Sequence, residues 1–168
     1  MRVLVLARHA KAEAPSINTL DHERILTERG RGDASTLGLS LSEAGFEPDV
    51  AYVSDAARTR ETWEIAAAKW EVPSVHLLHE LYNTSIATVI ETVRLTPPGA
   101  ERVMVVGHQP TMSSTAAYLA GNGSVKEALQ RISLGLQTGT AAVLEFDGEW
   151  TELGRETARL RAVVGRGD

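Results

Sequence analysis

The 168-residue sequence contains no cysteine. That excludes disulfides, thiolate nucleophiles and cysteine-ligated zinc, and it fits a reducing compartment such as the cytoplasm. Long hydrophobic runs are also missing. No apolar stretch approaches the roughly 18 residues that a membrane span requires. The short apolar run after Arg2 is interrupted at Arg8, so the N-terminus does not read as a signal peptide. Nor is there a basic excess: 17 Lys and Arg against 22 Asp and Glu leave a net charge of −5. This balance argues against nucleic acid or an anionic membrane as the main partner. Internal repeats, low-complexity tracts and linkers are absent. What is present, 43% hydrophobic and 23% charged residues, is ordinary for a globular protein. One domain over residues 1–168, with a sizeable core and no obvious apolar face to share, is expected to be a monomer.

Apolar runs at 3–7, 49–53, 75–78, 102–106 and 141–146 read as strands, and the first and fourth are apolar throughout, as buried strands are. Helical spacing lies between them. Thr27 is a good N-cap for a helix carrying Ala34, Leu37, Leu41 and Ala44, with Gly45 as its stop. A second helix is expected from a Ser54 cap to about residue 70, with Trp63, Ala66, Ala67 and Trp70 on one face. Ile86, Val89, Ile90 and Val93 mark a third at 85–95, and Pro110 opens a fourth over 111–120. Residues 11–26 read as loop, 124–139 fit neither pattern, and the basic tail from Arg155 is expected to be frayed. Strands alternating with helices predict a three-layer α/β/α sandwich around one central sheet.

In open α/β sheets ligands bind beyond the carboxyl ends of the strands. The first strand ends in Ala7-Arg8-His9-Ala10 and the fourth in Val106-Gly107-His108-Gln109-Pro110. The second ends at Ser54, with Arg58 one helical turn on. If these strands are adjacent and parallel, two imidazoles and two guanidiniums converge on one sheet edge. Guanidinium forks and helix N-termini both suit a phosphate-like anion. Strand ends and guanidiniums alone do not distinguish one such anion from another.

Four segments, in order and at this spacing, carry a specific resemblance. They are Leu6-Ala7-Arg8-His9-Ala10, Asp21-His22-Glu23-Arg24-Ile25-Leu26-Thr27-Glu28-Arg29-Gly30, Val53-Ser54-Asp55-Ala56-Ala57-Arg58-Thr59-Arg60-Glu61-Thr62 and Val105-Val106-Gly107-His108-Gln109-Pro110. Over nearly its whole length the chain resembles the histidine phosphatase superfamily, with its phosphoglycerate mutase-like fold and mostly parallel sheet. It looks most like the short SixA-type phosphohistidine phosphatase branch. The resemblance implies His9 as a nucleophile that takes up the phosphoryl group, Arg8 and Arg58 as a phosphate clamp and His108 as a second imidazole on the phosphoryl oxygens. It further implies Arg24 as a phosphate ligand, and no metal or other cofactor in catalysis. Glu80 stands where larger relatives carry the acid that protonates the leaving group.

The chain departs from the family pattern in three places. Ala10 stands for the glycine of Arg-His-Gly, a change common in the short branch. Asp55 stands for the proline of Ser-Pro. Only about twenty residues separate Leu78 from Pro97, too few for the large helical insert of bigger members. The resulting pocket should be shallow and open. It suits a phosphorylated side chain on another protein better than an enclosed metabolite, and it makes mutase activity unfavourable because water reaches the phosphoenzyme. The expected activity is therefore phosphatase action on protein phosphohistidine. A small phosphate ester as substrate and a catalytically silent phospho-binding module are the rivals. The other histidines read plainly: His22 at the rim, His76 on the side of a strand away from the core, His79 on the surface. No His-x₃-His or His-Glu-x-x-His spacing points to zinc. Trp63, Trp70 and Trp150 read as packing, and Asp21, Glu23 and Glu28 as solvated or capping carboxylates.

Overall fold

Thr27 caps the first helix as the sequence dictates: its Oγ1 accepts from Gly30 N at 2.9 Å. Ser85 does the same for the third helix, accepting from Thr88 N. The computed structural model describes residues 1–166. Its elements run β1 (Arg2–Arg8), α1 (Glu28–Glu43), β2 (Val50–Ser54), α2 (Ala57–Ala66), β3 (Ser74–Leu78), α3 (Ile86–Arg94), β4 (Arg102–Gly107), α4 (Thr111–Leu119), α5 (Lys126–Ser133), β5 (Ala141–Phe146) and β6 (Arg159–Val164).

The strands form one sheet in the order β3-β2-β4-β1-β5-β6. The β3–β2, β2–β4 and β4–β1 pairings are parallel, whereas β5 runs antiparallel to both β1 and β6. Alternate side chains of each strand face opposite layers. Leu4, Leu6, Val103, Val105 and Leu144 pack with Val89, Met112, Ala116 and Ile132 from α3, α4 and α5. Val5, Ala7, Ala51, Val53, Met104 and Val106 pack with Leu37, Leu41 and Trp63 from α1 and α2. The three-layer sandwich and the mostly parallel sheet are thus as expected. Between β3 and β4 the chain has room for a single 3-10 turn and α3, and no large helical insert. Helices α1 and α2 meet closely: a Cβ on Gly38 would lie 2.3 Å from the Ala66 carbonyl oxygen. Among the described residues no helix is long and apolar enough to cross a membrane.

Four local readings are corrected. Ser54 does not cap the second helix but ends β2, and its hydroxyl is engaged by His108 Nε2 at 2.8 Å. The helix starts at Ala57 and stops at Ala66, short of Trp70, whose Nε1 donates instead to Ser42 Oγ on α1. Residues 124–139 include the short helix α5, whose apolar face (Ala128, Ile132) joins the core. The tail from Arg155 is not frayed as far as residue 164. It forms β6, because Leu160 and Val163 bury against the open side of β5. Residues 167 and 168 lie outside the described part.

Candidate active site

The sheet meets the condition that the sequence left open. β1 and β4 are parallel neighbours with Arg8 in register with Gly107, and Val53 of β2 pairs with Val106 on the other side of β4. The ends of β1, β4 and β2 therefore lie side by side, and His9, His108 and Arg58 follow them.

The backbone around His9 is pinned on three sides. His9 N donates to Gly107 O, His9 O accepts from Gly139 N, and Ala10 N donates to Thr62 Oγ1, each at 3.0 Å. The His9 side chain is buried, and its Nδ1 lies 2.7 Å from the Ala10 carbonyl oxygen. A carbonyl can only accept, so Nδ1 carries the proton and Nε2 keeps a free lone pair. The ring of His108 stands 5.5 Å from that of His9.

Both imidazoles are held neutral. Burial pushes His9 down to about 4, and the positive charges of Arg58, Arg8 and Arg24 add to this, against the opposing bond to Ala10. Burial likewise pushes His108 down to about 3, assisted by His9 and Arg58. Unfolded histidine titrates near 6.5. Between these values and 6.5 the unfolded chain binds more protons than the folded one, so folding stability falls as pH drops from neutral through this window. Each of the two histidines is expected to cost about 1–2 kcal/mol at pH 5. The urea midpoint should drop between pH 7.5 and pH 5, and His108→Gln should flatten the slope. An equal midpoint at both pH values would contradict neutral, buried imidazoles.

The arginines differ in their partners. Arg8 is half-buried and donates from Nη1 to the Leu136 carbonyl at 3.0 Å. It has no carboxylate within ion-pair distance among the described residues, and its buried Nε has no partner. A desolvated guanidinium balanced by one carbonyl has donors available for an anion. Arg58 is buried and donates to the backbone and to Oδ2 of Asp21. Arg24 donates from Nε to Asp21 Oδ1 at 3.0 Å and from Nη1 to the Glu13 carbonyl.

Asp21 was not expected here. Its carboxylate takes the hydroxyl hydrogen of Tyr82 and sits between Arg24 and Arg58. Tyr82 first, with Arg24 and Arg58, holds it well below the usual carboxylate range, against the opposing effect of burial. The only forewarning in the sequence is its position three residues before Arg24. Tyr82 packs its ring 5.6 Å from that of His108 and lies under the Arg58 guanidinium. No sequence signal marked it. A cleft of about 410 Å³ is lined by Asp21, Arg58, Tyr82, Asn83, His108 and Gln109. Asn83 on its wall is exposed, so the cleft opens to solvent as the short β3–β4 connection implied.

Glu80 is not brought into this cleft. It is exposed on the single turn His79–Leu81 and lines a separate groove with Tyr52, His76, Leu78 and Thr92. The reason is geometric: the turn after β3 directs Tyr82, two residues on, toward His108. At the rim His22 Nε2 and His79 Nδ1 both contact the Asp55 carboxylate, at 2.7 and 3.0 Å.

The model of the histidine phosphatase superfamily (branch 1) matches residues 4–89. The chain belongs to this superfamily. The matched stretch holds Arg8, His9, Asp21, Arg24 and Arg58; His108 lies beyond it and joins them through β4. An uncharacterized protein of Mycobacterium leprae (strain TN) is 34% identical over 158 residues, 92% of this chain and 96% of its own. Two solved structures of SixA candidates, described as phosphohistidine phosphatases, share the fold. The one from Nakamurella multipartitia is 31% identical, with a TM-score of 0.87, over 99% of this chain and 97% of its own. The one from Agrobacterium tumefaciens is 26% identical, with a TM-score of 0.82, over 97% of both chains.

Proposed function

We propose that the chain is a phosphatase that hydrolyses protein phosphohistidine through a phosphorylated His9. The observation that carries this reading is the Nδ1–H bond to the Ala10 carbonyl, which leaves a neutral Nε2 lone pair among guanidiniums. In the first step Nε2 forms a bond to phosphorus while the bond from phosphorus to the leaving nitrogen breaks. The leaving imidazole takes a proton from solvent. Water then attacks the phosphohistidine, releasing phosphate and returning His9 to its neutral form. Arg8, Arg58, Arg24 and His108 hold the equatorial oxygens, whose charge must be balanced throughout the transfer. Substrate phosphate replaces the Asp21 carboxylate on the two arginines that now bind it. No metal ion takes part in these steps.

Two features favour a phosphohistidine over a small phosphate ester. Glu80 is elsewhere and Asp21 is held ionised, so neither of these two carboxyl groups stands ready to protonate an alkoxide. A ring nitrogen is the leaving group that least needs one. The cleft also opens to solvent, which admits a side chain projecting from a protein surface. The SixA candidates that the chain resembles are described as acting on phosphohistidine.

The test is phosphate release from a histidine-phosphorylated carrier protein against a panel of sugar phosphates and nucleotides. The phosphoprotein is expected to give a kcat/KM at least about 100-fold higher, since leaving-group and positioning effects are each worth orders of magnitude. Equal or better turnover of a metabolite would replace the substrate assignment. Tight phosphoprotein binding without turnover of anything would leave a binding module.

A further inference from the structure

His22, Asp55 and His79 come from three separate segments: the single turn Asp21–Glu23, the link between β2 and α2, and the single turn His79–Leu81. The fold nevertheless gathers their donor atoms, which all lie within 4.8 Å of one another. His22 Nε2 is 2.7 Å from Asp55 Oδ1, and His79 Nδ1 is 3.0 Å from Asp55 Oδ2. A tetrahedral ion bound at about 2.0–2.1 Å spaces its donors about 3.3 Å apart. The three groups therefore stand close to ligating separation before any ion arrives.

We propose that this cluster binds one divalent transition ion of the zinc class, through His22 Nε2, His79 Nδ1 and one oxygen of Asp55. Two imidazoles with one carboxylate match the donor preference of zinc and its neighbours, whereas magnesium and calcium favour oxygen ligands. Without an ion, Asp55 accepts a hydrogen bond from each imidazole. On binding, the proton on each ligating nitrogen moves by way of solvent to the other nitrogen of the same ring. Both histidines then ligate as neutral imidazoles, and two hydrogen bonds give way to three metal bonds. The side chains are 34% (His22), 30% (Asp55) and 74% (His79) exposed, which leaves a path for the ion and a fourth position for water. Asp55, the residue that replaces the proline of the family pattern, supplies the carboxylate. The site borders the cleft without overlapping the His9 machinery: the His22 ring lies 4.8 Å from that of Tyr82, which in turn abuts His108.

Calorimetric titration of the metal-free full chain with zinc chloride at pH 7.5 tests this independently of any phosphatase activity. One ion per chain is expected. His79→Ala and Asp55→Asn should each weaken binding by at least about tenfold. His76→Ala, at an exposed histidine on β3, should leave it unchanged. Binding that disappears in His9→Ala and persists in His79→Ala would place the ion on the active-site imidazoles and overturn the proposal. So would the absence of binding, or equal loss in His76→Ala.

Discussion

His9→Ala is expected to abolish turnover, with a loss of at least about four orders of magnitude on both a phosphohistidine protein and an aryl phosphate. Removal of a covalent nucleophile eliminates the pathway and is not compensated by the groups around it. The fold should survive: the variant loses the ring and its bond to Ala10, but the backbone bonds to Gly107 and Gly139 remain. Activity alone would not separate a nucleophile from an acid or base. Rapid quenching of the wild type with ³²P-labelled substrate should therefore trap a phosphoprotein that is labile in acid and stable in alkali, the signature of a phosphorus–nitrogen bond. The same label must be missing from His9→Ala. A labelled His9→Ala protein, or one retaining more than about 1% of activity, would move the nucleophile elsewhere.

The second large effect belongs to Arg58. Arg58→Gln removes a buried positive charge from the proposed phosphoryl site, and Arg58→Lys keeps the charge but loses the planar fork. Both are expected to lower kcat/KM by about 10²–10³, the scale found when one preorganised donor to a developing anion is removed. The glutamine variant should fare worse. Competitive binding of orthovanadate should weaken in parallel, because that oxyanion uses the same donors. The variant is expected to fold, since Asp21 keeps its bonds from Arg24 and Tyr82. A thermal melt near that of the wild type, with unchanged kcat/KM, would show that Arg58 serves to hold Asp21 and does not meet the substrate.

Much of this site was legible because its chemistry sits at strand ends. Arg8-His9 and Gly107-His108 follow the two most apolar runs, and in a parallel sheet such positions share one edge. The Thr27 cap and the strand at 141–146 were equally clear, because capping and strand periodicity are local properties. Other features depended on contacts between distant residues. Nothing adjacent to Ser54 shows that its hydroxyl faces His108 across the β2–β4 pair rather than capping a helix. Nothing in the basic composition of the tail shows that Leu160 finds the open edge of β5.

By itself the sequence determined the α/β class, the alternation of elements and the residue types, two histidines and two arginines, that stand at the strand ends. Those follow from side-chain periodicity and residue chemistry, which are written position by position. The tertiary structure alone decided which carboxylate enters the site. It excluded Glu80, set Asp21 between Arg24 and Arg58 and brought Asp55 between His22 and His79. It also decided the protonation of His9, because burial and three neighbouring guanidiniums, not the residue type, push its titration down to about 4. Charge and desolvation act through space, and the distances that govern them exist only after the chain has folded.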